Sequence, residues 1–149
     1  YPLPSPMVNS KNFDFSYSGL KTAVLYLLRD ICGSPSASSG QYQLSTKQKV
    51  DIAASFQKAA LEVLVKKTIK AAEKYKVKSL LLSGGVSANK MLRERLQQEA
   101  AELGINYSCP PMEYTTDNAA MIAMAGYFSY LKNKKTELSS VRIDANLGF

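Results

Sequence analysis

Not one of the 149 residues is a histidine. Imidazole is the commonest general base near neutral pH and the commonest transition-metal ligand, so its absence argues against self-contained hydrolytic or zinc chemistry. A zinc-peptidase HExxH helix is excluded outright. Cysteine is scarce as well, Cys32 and Cys109 being the only two. They lie far apart without CxxC spacing, which suggests neither a zinc knuckle nor a disulfide framework and fits a reducing cytoplasm. No apolar run approaches the roughly 20 residues that cross a bilayer; the longest, from Ala119 to Tyr130, is interrupted by Gly126. A soluble protein with no membrane contact is therefore expected. Neither a Walker A loop nor a GxGxxG fingerprint is present, and there is no internal repeat. The opening Tyr1-Pro2-Leu3-Pro4-Ser5-Pro6 resembles no secretory or transit signal and, without an initiator Met, reads as the start of an excised or processed piece.

What is present suits one compact domain. Hydrophobic residues make up 46% of the chain, and a domain of this size buries roughly two-thirds of the surface that its unfolded form exposes. The 19 basic and 12 acidic residues leave a net charge of +7. That excess favours a polyanionic partner through phosphate neutralisation and counterion release, nucleic acid first among them, although many basic proteins bind none.

Along the chain, Asn12 to Tyr17 alternates apolar and polar residues, the period of a half-buried strand. Ser18 is placed to cap a helix whose apolar positions Leu20, Val24, Leu27, Leu28 and Ile31 recur until Gly33. Residues 33–40, small and polar, read as a surface loop. Ser45 and Gln48 have capping-box spacing, and the mostly apolar stripe Val50, Ala54, Gln57, Leu61, Leu64, Thr68, Ala71 and Tyr75 predicts one long helix from Thr46 to Tyr75. Leu80-Leu81-Leu82 suits a strand covered on both faces. Ser87 is a candidate cap for a helix carrying Leu92, Leu96, Ala100 and Leu103, which Gly104 ends. Ile105 to Cys109 follows as a strand that Pro110-Pro111 halts. Thr115 or Thr116 is placed to cap a last helix running to about Leu131. The tail, 132–149, is expected to be weakly ordered. Helices alternating with buried strands indicate an α/β domain with a largely parallel sheet.

The strongest local feature is Leu80 to Asn89, a strand, a glycine pair and a helix start. Gly84 and Gly85 allow backbone N–H groups to approach an anion or a nucleotide sugar without a side chain in the way. On local physics alone, a tight turn capped by Ser87 is the simpler reading. Asn89 offers an acceptor and a donor suited to a ribose or base edge, or it is a solvated polar residue early in a helix. Asp117 could ligate a metal, but one carboxylate cannot do so alone, and an acid in a first turn more often compensates the helix dipole. The lysines from Lys66 to Lys78, with Lys132, Lys134 and Lys135, suit RNA phosphates or a solubilising face. The tyrosines, among them Tyr17, Tyr26 and Tyr75, show no stacking-platform pattern and read as core or rim.

Three segments in order, Phe13 to Val24 (FDFSYSGLKTAV), Ser83 to Leu92 (SGGVSANKML) and Thr116 to Ala123 (TDNAAMIA), resemble the TsaD family of tRNA threonylcarbamoyladenosine transferases, formerly described as glycoproteases. The resemblance extends from the Pro-rich start to about Leu131. It implies the second, C-terminal lobe of a two-lobe actin-like ATPase (ribonuclease H-like) fold, a mostly parallel sheet with long flanking helices, incomplete on its own, spanning 1–149 as a single lobe. It also implies transfer of threonylcarbamoyl from threonylcarbamoyl-AMP to the exocyclic amine of the adenosine beside the anticodon.

In that family Gly84 and Gly85 would line the cleft, Asn89 would bind the nucleoside, and Asp117 would join two histidines of the other lobe on one metal, iron or zinc. Those histidines, and a Gly-Gly-His loop near the carbonyl substrate, cannot come from this chain, so catalysis by it alone is not expected and no catalytic residue is assigned within it. Implied partners are tRNA and, in bacteria, a paralogous TsaB-like subunit and a TsaE-like ATPase. The implied location is cytoplasmic, or organellar in a eukaryote. Two other readings stand beside this one: a nucleotide-binding or partner-binding actin-like module without catalysis and, least supported, a metallopeptidase.

Overall fold

The computed structural model describes residues 1–35, 40–132 and 137–143. Four helices follow one another, α1 (Ser18–Cys32), α2 (Thr46–Tyr75), α3 (Lys90–Glu102) and α4 (Ala119–Leu131), with β1 (Ser79–Leu81) before α3 and β2 (Asn106–Ser108) after it. The two strands pair in parallel, Leu80 opposite Tyr107, so β1, α3 and β2 form a strand-helix-strand crossover. This is the expected α/β architecture with a small parallel sheet.

Helix α2 spans 30 residues, about 45 Å at 1.5 Å per residue. Its ends are where the sequence places them. The Ser45 hydroxyl accepts from the Gln48 N–H at 3.2 Å while the Gln48 side chain accepts from the Ser45 N–H at 2.9 Å, a reciprocal box that satisfies two orphan donors. At the other end Lys76 turns left-handed, with φ +50, and its N–H closes on α2 before the chain enters β1. Leu61 and Val65 of α2 meet Leu92 and Leu96 of α3 in the central cluster, with Leu64, Leu80, Leu82 and Tyr107 packed against it. Each such Leu contributes about 1.5–3 kcal/mol by leaving water.

Several expected details differ. Residues 12–17 form no strand. The start of this segment is instead pinned to α2: Lys67, 4% exposed, donates to Asn12 O at 2.6 Å and to the preceding Ser10 O at 3.1 Å. A buried ammonium needs such acceptors, and its demand overrides the alternation. Ser18 is the first residue of α1 and not its cap; the Ser16 hydroxyl accepts the Ser18 N–H. Asn89 caps α3, and Asn118 caps α4, each accepting the N–H three residues on. The β1 strand is covered on one face only, for Leu81 is 75% exposed. Within the 33–40 loop, 36–39 lie outside the described residues, as do 133–136 and 144–149 of the 132–149 tail. The described part of that tail includes one 3-10 turn, Leu138–Ser140.

Candidate nucleotide site

Both sequence motifs follow the carboxyl ends of parallel strands, the edge where open α/β sheets hold ligands. Beyond β1 the chain reaches Gly84 at φ +82 and ψ 171, a conformation that is essentially glycine's alone. A 3-10 turn, Gly85–Ala88, follows and closes through the Ser87 N–H on Gly84 O at 2.9 Å. A Cβ at Gly84 or at Gly85 would meet no atom within 4 Å. Both glycines are exposed, so the turn presents bare backbone to the surroundings.

The turn delivers Asn89. Its carbonyl oxygen caps α3 through the Leu92 N–H at 3.0 Å, and its amide donates to Gln57 Oε1 at 3.1 Å. Asn89, Gln57 and Val86 border a cavity of about 680 Å³ between α1 and α2. Its walls are mainly apolar, with Leu28, Ile52 and Phe56 among them, and Lys21 and Lys49 contribute the two cationic side chains. Both lysines are exposed, so their ammonium groups stay hydrated beside an apolar interior. Tyr17 also lines this space; burial pushes its hydroxyl above the ordinary phenol range, and it donates to Ala60 O at 3.4 Å. Gln57 was legible in the sequence only as a polar residue in phase with an apolar stripe. Lys21 and Lys49 gave no signal, because nothing local shows that α1 and α2 diverge around a space.

Across the turn lies a second groove of about 410 Å³, bordered by Ser83, Cys109, Tyr114, Asn118 and Met121. It brings together the immediate neighbours of the two motifs, Ser83 before Gly84 and Asn118 after Asp117. Gly84, Gly85 and Asp117 themselves line neither this groove nor the 680 Å³ cavity, to which the turn contributes Val86 and Asn89. The Asp117 carboxylate is exposed and engages no hydrogen bond or ion pair with the described residues. Among the described residues no three His, Cys, Asp or Glu side chains cluster as a metal site. One carboxylate is too few ligands for iron or zinc, so the described residues do not make a metal site by themselves.

Behind the groove Arg93 ties the turn to β2. Its Nε donates to Ser87 O and its Nη1 reaches Cys109 Sγ at 3.4 Å. The Tyr107 hydroxyl is buried without a hydrogen-bond partner. Burial first, then the neighbouring Cys109 thiol, push it up to about 12 against the pull of Arg93.

With this geometry in place, comparison with known proteins decides the family. The sequence pattern of TsaD, tRNA N6-adenosine threonylcarbamoyltransferase, matches residues 1–124. The chain belongs to the TsaD family. A tRNA N6-adenosine threonylcarbamoyltransferase of Thermosipho africanus is 47% identical over 132 residues, 89% of this chain and 37% of the relative. One from Francisella tularensis subsp. mediasiatica is 43% identical over 145 residues, 97% of this chain and 40% of the relative. The TsaD protein of Thermosipho melanesiensis is 44% identical over 127 residues, 85% and 35% respectively. The chain thus spans about two-fifths of the length of these relatives. No described helix is long and apolar enough to cross a membrane.

Proposed function

We propose that this chain supplies one wall of a TsaD transfer site, which moves threonylcarbamoyl from threonylcarbamoyl-AMP to the exocyclic amine of an adenosine beside the anticodon of tRNA. The observation that carries this reading is the cavity under Asn89. At about 680 Å³ it falls within the usual range for small-molecule sites, about 300–1,000 Å³, and it combines apolar walls with few polar groups in the usual manner. Apolar walls suit an adenine, Asn89 and Gln57 suit its polar edge or a ribose, and Lys21 and Lys49 suit the phosphate.

Gly84 and Gly85 let the backbone approach the adenylate closely, and the turn orients the acyl group towards the Asp117 side. Orientation of this kind, and not a nucleophile of the protein, is what amine attack on an activated carbonyl demands. Asp117 is the one ligand that this chain would give to an iron or zinc ion, the others coming from outside it; such a metal supplies Lewis-acid polarisation. The tRNA is met in the cytoplasm, and TsaB-like and TsaE-like proteins are the assembly partners we would expect.

The test is a titration of the chain with AMP, followed by thermal shift, and a transfer assay in which the chain is joined to the histidine-bearing remainder of a TsaD relative. Stabilisation by AMP that Gly85→Ala removes, together with transfer that Asp117→Ala abolishes, supports the proposal. AMP binding without transfer leaves a nucleotide-binding module without catalysis, and transfer that persists in Asp117→Ala rejects the metal role of that residue. Absence of both rejects the site.

A further inference from the structure

A third space, a groove of about 340 Å³, runs between residues 13–15, α2 and β1. Its rings are Phe13, Phe15 and Tyr75. Phe13 and Tyr75 stand 5.8 Å apart between centroids, tilted by 50°, and Tyr75 is 65% and Phe15 48% exposed. A large apolar side chain left in water at a helix end, where it buries little, is poorly explained as core. The sequence reading of Tyr75 as core or rim did not anticipate this pairing.

Cations stand close to these rings. Lys74 sits 5.1 Å from the Phe13 centroid and 5.6 Å from the Tyr75 centroid, and Lys70 reaches Ser10 O at 3.3 Å. Lys11, Lys76 and Lys78 are exposed nearby in the chain, against the exposed acids Asp14 and Glu73. Asp14 is already engaged by the Asn12 amide. Lys74 thus stands against two rings of the slot, and Lys67 lines its wall.

Rings with flat faces accessible to solvent, interleaved with ammonium groups, are the chemistry that binds single-stranded nucleic acid: bases stack and phosphates pair with cations. An acidic peptide would use the lysines but not the rings, and a duplex keeps its bases stacked on one another. The groove also adjoins the adenylate cavity. Leu64 lines both, and Phe15 contacts Tyr17, a wall residue of the cavity, at 5.7 Å between centroids. We propose that Phe13 and Tyr75, with Lys70 and Lys74, form a stacking seat for an unpaired base of the RNA substrate, next to but separate from the nucleotide cavity. The identification of the strand as RNA rests on the transfer reading above; the seat itself rests on the rings and lysines.

The experiment is fluorescence anisotropy of the whole chain with two labelled probes, a 17-nucleotide anticodon stem-loop RNA and a blunt RNA duplex of equal length, with no adenylate present. Tyr75→Ala is expected to weaken stem-loop binding at least about fivefold, the lower end for loss of one stacked base, while Tyr75→Phe stays within about twofold of the parent and duplex binding is unchanged. Lys74→Ala should weaken both probes and flatten the salt dependence. Circular dichroism melts confirm that the variants fold, and Phe13→Leu, which keeps the apolar volume and removes the flat ring, serves if Tyr75→Ala does not. Stem-loop binding that is indifferent to Tyr75 and Phe13, or a loss on substituting either ring that is equal for stem-loop and duplex, overturns the proposal. Because no adenylate enters this assay, its failure leaves the AMP titration standing, and the converse holds.

Discussion

The Asn89 amide donates to Gln57 Oε1 at 3.1 Å, joining the end of the glycine turn to the middle of α2. The same side chain caps α3 with its other end, so its two polar atoms do separate work and separate substitutions can resolve them. Asn89→Asp keeps an acceptor for the Leu92 N–H and places a negative charge at a helix start, which is favourable there. It removes the donor. We expect urea stability close to the parent but AMP affinity about tenfold weaker, the effect of one lost hydrogen bond. Asn89→Ala should in addition lower stability by about 1 kcal/mol, through the lost cap. Equal AMP affinity in both variants and the parent would remove Asn89 from the site.

The glycine pair divides in the same way. Gly84 has φ +82 whereas Gly85 does not have a positive φ. Gly84→Ala should cost about 1–3 kcal/mol, from backbone strain alone. Gly85→Ala should leave the urea midpoint almost unchanged and yet weaken AMP binding, since its methyl group would occupy open space that the ligand is proposed to use. A Gly85→Ala protein with undiminished binding places the ligand elsewhere.

Lys67 anchors residues 10–12 to α2 by donating to Ser10 O, Ser10 Oγ and Asn12 O. Lys67→Met fills the same volume but takes the donor from Asn12 O and leaves Ser10 O to Lys70 alone, at a cost of about 1–3 kcal/mol. Limited proteolysis should then cut preferentially before Tyr17, with α2 and α3 surviving. Unchanged cleavage in that segment would show that the lysine is not its anchor.

Tyr107 makes stability fall at high pH. Its hydroxyl is raised from 10.0 to about 12, so between those values the unfolded chain loses a proton that the folded chain retains. Unfolding is thereby favoured progressively as pH rises through that window, and the group contributes nothing below it. Tyr107→Phe should flatten the melting temperature between pH 10 and 11.5 and be neutral or stabilising at pH 7, because the hydroxyl is buried with no hydrogen bond to lose. An unchanged alkaline slope in that variant would assign the effect to another group.

The sequence is most informative where a signal is local. The Ser45 and Gln48 spacing marks the start of α2 because a capping box is completed within four residues, and Tyr75 closes the helix as expected. Residues 12–17 mislead because alternation has strand meaning only beside a partner strand, and a buried lysine holds the Asn12 carbonyl instead. The cap of α3 was misplaced by two residues: Ser87 is consumed in the 3-10 turn, fully buried, and Asn89 inherits the role. The Gly84, Gly85 and Asn89 constellation was visible as a motif. The cavity that Asn89 borders was not, because Gln57, Lys21 and Lys49 reach it only through packing of α2 and α1, which no periodicity encodes.

Helix α4 buries none of its 13 residues, leaving Met121, Ile122, Met124, Tyr127, Phe128, Tyr130 and Leu131 all in water. At that length an unsupported helix is only marginally stable in water, and the Asn118 cap is its main local aid. Its amide protons should therefore exchange with solvent far sooner than those of α2 and α3, where packing opposes opening. Exchange measured along the chain should therefore be fastest in the helix that directly follows Asp117.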